Sequence, residues 1–396
     1  MGVLNSALAA YLLTAFTVDR VHQVGMLASL PIAYGRRRGL VEAASKPASE
    51  LRAAWDTGNE ICTRFTAPWL LQLSQRQSEP IGQGLGRVLN LLGDDSPFPI
   101  TPSPPHSRPL SALLDRVRAI ENAADARLQA LQAQIDEAVY DLYEISATDR
   151  ALIEQELGER PPELCWPQME GKSDLEKRRE HVRRLFSYFA LQSVREDKDG
   201  VVPLAGGGGR EPYLIDRVRA QLEAQFGAGV AYQWEQDAAQ YLGRSLEEWL
   251  RREFFARFHV PLYKKRPILW HLASPKGYFA VLVDYHKLTR DTLPKVQTLY
   301  LWPQIESART RLAGARAGGA SMKAVGDLED EIGDLEECNR RLEAVIQGTV
   351  KVDLPDWARG PYRNGQPPYD PDLDDGVRAN LLPAQEAGLL PGKKVV

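Results

Sequence analysis

The residues of this chain whose types and spacing could do chemistry include one Pro-Pro-aromatic sequence, Pro367-Pro368-Tyr369. Such a loop can hold an extruded nucleobase by stacking when it follows a strand and presents polar groups to the base edge. Here Gln366 precedes the sequence, and the surrounding tail is rich in proline and glycine with no strand pattern before it. A motif without its structural context is weak. The sequence therefore predicts that Tyr369 is not catalytic.

Two glycine-rich stretches could be taken for phosphate-binding loops. Gly82-x-Gly84-x-Gly86 follows Ser-Glu-Pro instead of a hydrophobic strand, and the run from Gly206 to Gly209 has no Gly-Lys-Ser/Thr after it. Phosphate loops need a strand before the glycines and a helix after them. Both stretches are predicted to be flexible loops or linkers, so no cofactor-binding residue is assigned.

The sequence contains no pattern that indicates metal binding, redox chemistry or catalysis by paired carboxylates. The six histidines are scattered without a paired His or Cys at ligand spacing, and Asp374-Asp375-Gly376 is typical of a turn. The three cysteines, Cys62, Cys165 and Cys338, are far apart and odd in number, which fits neither a disulfide framework nor a zinc site. The sequence predicts no catalytic and no metal residue, a reducing compartment and a cytoplasmic location.

Several cations of the chain are grouped in local clusters. The net charge is -4, so the chain has no overall basic excess that would indicate nucleic acid. Two clusters stand out, and they supply the candidate phosphate contacts: Arg178, Arg179, Arg183, Arg184, Lys264, Lys265, Arg266 and Lys276. The first four have two open interpretations, a solvated helix face paired with Glu176 and Glu180, or a face that contacts DNA phosphates.

Hydrophobic periodicity predicts the elements that position these residues. A long helix begins at Ser111, and its apolar residues from Val117 to Leu142 follow steps of three and four, apart from one gap between Val117 and Ala124. A helical hairpin is predicted around Gly318-Gly319, with a second arm whose seam runs from Val325 to Ile346. Apolar strands at 268–270 and 279–283 predict a β-hairpin. The expected fold is mainly α, a helical domain with long coiled-coil-like helices, a helical hairpin and a small antiparallel β-hairpin or sheet. No stretch reaches the length of a membrane span.

Several phrases, taken in order, carry a family resemblance. The stretch from Lys264 to Leu301 contains KRPILW, SPKGYF and DTLPKV; Glu170 to Tyr188 reads EGKSDLEKRREHVRRLFSY; the tail contains PDLDDGVRAN. Leu4-Asn5-Ser6 and Gln23-Val24-Gly25 add an opening phrase. Together they resemble the C-terminal region of the adenine-specific DNA methyltransferases of BREX phage-defence systems, the PglX type. Met26 stands where that family usually has Asp, which puts any polar contact there in doubt.

The resemblance implies a DNA-binding, target-recognition C-terminal part whose catalytic N-terminal half is absent. The chain lacks the S-adenosylmethionine loop and the Asn-Pro-Pro-Tyr motif, so it is expected to be inactive alone; the cofactor is implied only for the complete enzyme. Implied partners are double-stranded DNA and a separate catalytic chain or other defence-system proteins, with no membrane. Two alternatives stay open: a helical assembly module with no DNA role of its own, and an autonomous methyltransferase.

The predicted organisation has six parts. They are the end of a target-recognition region (1–33), a helical connector (34–96), a Pro-rich linker (97–109), a long-helix module with the basic helix (110–200), a C-terminal module with the β-hairpin and the antiparallel helical hairpin (210–350), and a Pro/Gly-rich tail (351–396).

Overall fold

The computed structural model describes residues 3–16, 30, 38–74, 83–97, 109–205, 211–352 and 368–392. The chain divides into two compact units, Met1–His181 and Val182–Val396. The predicted linker lies outside the described residues apart from its two ends, and so does most of the predicted target-recognition end. Glycines 206–209 and Gln366-Pro367 also fall outside them.

The first unit is helical in its described part. Its helices are α1 (Ala7–Phe16), α2 (Arg38–Trp55), α3 (Trp69–Ser74), α4 (Gln83–Leu92), α5 (Leu110–Leu142) and α6 (Ala147–Leu157), and α7 (Asp174–Glu196) begins in it. Helix α5 packs against α2. Its predicted seam is confirmed, because Val117, Ala124, Leu128, Leu131, Ile135 and Ala138 are all buried. Apolar residues at this spacing share one helix face, which is why the face turns inward.

A buried ionic cluster lies in the core of the first unit. The Glu121 carboxylate lies within hydrogen-bond distance of His181 Nε2, at 3.1 Å, and it forms an ion pair with Arg118. Burial would raise the pKa of Glu121, but the hydrogen bonds and charges of His181 and Arg118 reverse this and lower it. The rings of Trp69 and Trp166 flank His181 at 5.3 and 5.0 Å between centroids. The charges are thus paired inside an aromatic shell, which a buried charge requires.

The second unit surrounds a three-stranded antiparallel sheet. The strands are β1 (Val201–Ala205), β2 (Leu269–Ala273) and β3 (Ala280–Asp284), in the order β1-β3-β2. In the centre of the sheet Val283 pairs with Val201 on one side and Trp270 on the other. β1 is not part of the predicted hairpin. It contains Pro203, which has no backbone N–H, and an edge strand tolerates this because one of its sides has no neighbouring strand to accept a hydrogen bond. β1 and β3 are buried along their whole length, as is β2 up to Leu272, so the sheet is the core of this unit.

Helices enclose this sheet. They are α8 (Leu214–Phe226), α9 (Ala228–Leu242), α10 (Leu246–Arg252), α11 (Trp302–Ala317), α12 (Met322–Ile346) and α13 (Gly376–Glu386), with π-helical turns at Phe254–His259 and Val296–Leu301. Helices α11 and α12 pack together as the predicted hairpin. The expected fold class is confirmed: the described chain is mainly helical, with long helices, a helical hairpin and a small antiparallel sheet.

The described part of the tail belongs to the core of the second unit. Tyr369 is buried, its backbone N–H donates to the carbonyl of Ile346, and its hydroxyl donates to the carbonyl of Asn380 at 3.1 Å. Asp374 and Asp375 form the predicted turn, which the side chain of Asp372 caps by accepting from the Asp374 N–H. Tyr369 therefore packs in the interior and presents no ring face to a base.

Two buried histidines make the second unit sensitive to acid. Burial lowers the pKa of His259 and of His271 from 6.5 to about 3, and the nearby charges of Arg195 and Arg251 add to the effect. Nε2 of the neutral His259 ring accepts the Leu269 N–H at 3.1 Å. Below pH 6.5 the unfolded chain binds protons that the folded chain excludes, so stability is full above that pH and falls as the pH approaches 3.

We expect the free energy of unfolding to decrease by about 1.4 kcal/mol per pH unit for each of these histidines below pH 6.5. Urea denaturation from pH 7.5 to 4.5 measures this slope. His271→Leu should flatten it by about the contribution of one histidine, with exposed His286→Gln as the matched control. An identical slope in wild type and His271→Leu contradicts the assignment.

Candidate nucleic-acid interface

The cations of helix α7 do not form one free basic face. Arg178 pairs with Asp174 at 2.5 Å and with Asp115 at 2.6 Å, and its side chain is only partly exposed. Burial would lower its pKa, but the hydrogen bonds to both carboxylates reverse this and raise it. A phosphate would therefore have to displace two carboxylates to reach Arg178. Arg179 and Arg183 are half-buried.

Arg184 is a packing residue. Only 3% of it is exposed, and its guanidinium carbon lies 5.9 Å from the centroid of the Phe258 ring. The physical reason is helical spacing: Lys177, His181 and Arg184 form an i, i+4, i+7 stripe, and all three are buried. The apolar pattern of α7 predicts that one face of the helix is buried. It does not predict that the stripe of Lys177, His181 and Arg184 is buried as well. Burial removes Arg184 from the candidate phosphate contacts.

The second predicted cluster is exposed. Lys264, Lys265 and Arg266 follow the short helix Val260–Leu262, and all three are exposed to solvent. Within the described ranges, none of them forms an ion pair with a carboxylate. Lys264 and Lys265 have left-handed backbone angles, with φ of 51° and 63°. Their N–H groups donate to the carbonyls of Pro261 and Val260, which holds the turn in this uncommon conformation.

Lys276 lies on the turn between β2 and β3, where a buried carboxylate fixes the backbone. Asp334 of α12 accepts the N–H of Lys276 at 2.7 Å and the N–H of Tyr278 at 3.4 Å. The Ser274 hydroxyl accepts the Phe279 N–H at 3.0 Å, and Gly277 takes a φ of +80° that a larger residue would strain. The Lys276 ammonium meets the exposed Asp330 at 3.3 Å. The turn is therefore held rigidly by the helical hairpin.

A cationic groove opens beside this turn. Its volume is about 800 Å³, and its lining includes Arg251, Arg252, Lys276, Tyr213 and Tyr278. Neither Arg251 nor Arg252 is among the phosphate contacts that the sequence predicts. The sequence nevertheless contained a signal for them. Two consecutive arginines occupy the last turn of α10, where cations are favoured by the helix dipole, and they point away from the apolar stripe of the helix.

Two of the three cysteines are buried and unreactive. Burial raises the pKa of the Cys165 thiol well above its usual value, and raises that of Cys338 to about 12, so neither forms a thiolate nucleophile at neutral pH. Among the described residues, no group of three His, Cys, Asp or Glu side chains is placed to hold a metal ion. In the same residues, no helix combines the length and apolar character that crossing a membrane requires.

Two known proteins are similar to part of this chain. Adenine-specific methyltransferase PglX of Lacticaseibacillus casei (strain Zhang) is 29% identical over 164 residues, which cover 38% of this chain and 12% of that protein. Adenine-specific methyltransferase BrxX of Escherichia coli O9:H4 (strain HS) is 27% identical over 206 residues, which cover 48% of this chain and 16% of that protein. No protein-family model matches the chain. The chain is thus distantly related to adenine-specific methyltransferases of this type and spans a small fraction of their length.

The buried contact at the turn gives a stability prediction. Asp334→Ala should reduce the free energy of unfolding by about 1–3 kcal/mol, because two turn N–H groups lose their acceptor in a buried place. Asp330→Ala, one helical turn earlier, removes a carboxylate that is 68% exposed and should cost at most about 1 kcal/mol. Chemical denaturation compares the two variants. Equal losses would show that the turn does not depend on Asp334.

Proposed function

We propose that this chain is the DNA-binding, target-recognition part of an adenine-specific DNA methyltransferase of the BREX type, and that it corresponds to the C-terminal region of such an enzyme. The distant similarity to PglX and BrxX supports the relation. The cationic turn Lys264–Arg266 is the observation that supports the DNA-binding role.

Three properties suit this turn to phosphate contact. Its three cations are adjacent, they are exposed, and in the described structure no carboxylate neutralises them. Protein–DNA affinity rests largely on such cations, which release counterions from the phosphates when they bind. A turn with fixed backbone also presents them at little entropic cost, and contacts to phosphates position a protein on the duplex.

Methyl transfer, on this proposal, belongs to a separate catalytic part. That part would supply the S-adenosylmethionine loop and the motif that holds the extruded adenine. In this chain Tyr369 lies in the core and is hydrogen-bonded to Asn380, whereas the preceding Pro368 is exposed. The local role of this chain is to bind duplex DNA and orient it for the catalytic part.

The alternative is an assembly module that associates through the seam of α12. Leu335, Leu342 and Ile346 of that seam are buried within the second unit itself. Asn339, on the same helix, accepts the indole N–H of Trp302 at 2.8 Å and an amide N–H of Gln297 at 3.1 Å. These residues already have partners in the same unit, which favours DNA binding over self-association through this surface.

The triple variant Lys264→Gln, Lys265→Gln, Arg266→Gln tests the proposal. We expect it to weaken duplex binding, and to make the slope of log K against log salt less negative by up to about 2.7, because each phosphate contact contributes about 0.9. Fluorescence anisotropy of a labelled duplex at several salt concentrations measures both quantities.

The matched control changes three cations that already have carboxylate partners: Arg309→Gln, Arg316→Gln, Arg340→Gln. It alters the net charge equally, so it separates local contact from overall charge. A duplex affinity and salt slope that are the same in both triple variants, or no duplex binding by wild type at low salt, would contradict the proposal.

Calorimetry with S-adenosylmethionine separates the proposal from an autonomous methyltransferase. We expect no binding heat from this chain alone, because glycines 206–209 follow β1 of a small antiparallel sheet and lack the parallel β/α context of a cofactor loop. A saturable heat with one site per chain would instead favour a complete enzyme.

A further inference from the structure

The groove beside the β2–β3 turn has two cations that are available to a ligand. Arg251 and Arg252 are exposed at the end of α10, and neither pairs with a carboxylate in the described part of the chain. Arg311, on another wall of the groove, pairs with Glu331 at 2.5 Å, and Gln304 donates to the same carboxylate. The α10 wall also carries Glu247, which forms no ion pair with either arginine in the described structure, so both guanidinium groups remain suited to bind phosphate oxygens.

Aromatic rings line the same groove. Tyr278 follows the Gly277 turn and is 39% exposed, and Tyr213 precedes helix α8 and is half-exposed. The Asp334 contact fixes the backbone on which Tyr278 stands. Exposed rings beside free arginines form the combination by which proteins hold unpaired nucleotides, whose bases stack on the rings while cations follow the backbone.

The size and the ring faces distinguish an unpaired strand from a duplex. A cavity of about 800 Å³ lies within the range of sites that enclose small ligands. A base inside a duplex is stacked on both faces and presents only its edges in the grooves, so its face reaches a tyrosine only when the base is unstacked.

We propose that this groove binds unpaired nucleotides of single-stranded DNA, with Arg251 and Arg252 on the phosphates and Tyr278 stacked on a base. This inference rests on the proposed function, since it places a second, strand-specific DNA site beside a duplex-binding turn. The groove then holds a strand segment whose bases have left the duplex.

Anisotropy titrations with a labelled 12-nucleotide oligo-dT and, separately, a labelled duplex test the groove. We expect Tyr278→Ala to weaken oligo-dT binding about tenfold, since stacking on one ring contributes roughly that factor. Tyr278→Phe keeps the ring and should bind within about twofold of wild type. Arg251→Gln with Arg252→Gln should reduce the single-strand salt slope by about 1.4. Duplex affinity should change less than about twofold in all three variants.

The matched control is Tyr232→Ala, which removes an exposed tyrosine (67%) that does not line the groove, and it should leave oligo-dT binding unchanged. Equal effects of Tyr278→Ala and Tyr232→Ala, or equal loss in Tyr278→Phe, would overturn the stacking role. Duplex binding without oligo-dT binding overturns this inference and leaves the proposed function intact. Absence of both overturns both. Displacement of oligo-dT by poly-glutamate as effectively as by unlabelled oligo-dT would indicate an acidic peptide and would also overturn it.

Discussion

The contact between the Asp334 carboxylate and the β2–β3 turn is the constraint on which the candidate interface depends. It joins helix α12 to the sheet through two backbone N–H groups, those of Lys276 and Tyr278. Asp334 is itself buried while Lys276 and Tyr278 are exposed, so the hydrogen bonds are partly shielded from competing water. One wall of the groove and the position of Tyr278 follow from this contact.

Charge pairing decides which cations are available. Arg178 is held by Asp174 and Asp115, Arg184 lies under Phe258, and the exposed arginines Arg309 and Arg340 of the hairpin have carboxylate partners. The turn Lys264–Arg266 and the pair Arg251-Arg252 have no such partner within the described residues. A chain with a small net negative charge can therefore present two local cationic surfaces, because many of its other described cations are paired with carboxylates nearby.

The similarity to adenine-specific methyltransferases and the fold complement each other. The similarity covers less than half of this chain and a small part of each relative, so it indicates a distant relation. The described structure adds rigid, cationic surfaces in the second unit, and it puts the tyrosine of the Pro-Pro-Tyr sequence in the core. The proposed recognition of DNA rests on these features together.

The sequence by itself determined the fold class, the α5 seam, the helical hairpin and the β2–β3 pair, because these follow from local periodicity and turn residues. It also indicated that Asp374 and Asp375 form a turn. Only the tertiary structure added β1 to the sheet, since strand pairing joins Val201 to Val283 across 82 positions of sequence (283 minus 201). It likewise buried Arg184 and left Arg251 exposed, because exposure depends on what packs over each helix face and not on residue type.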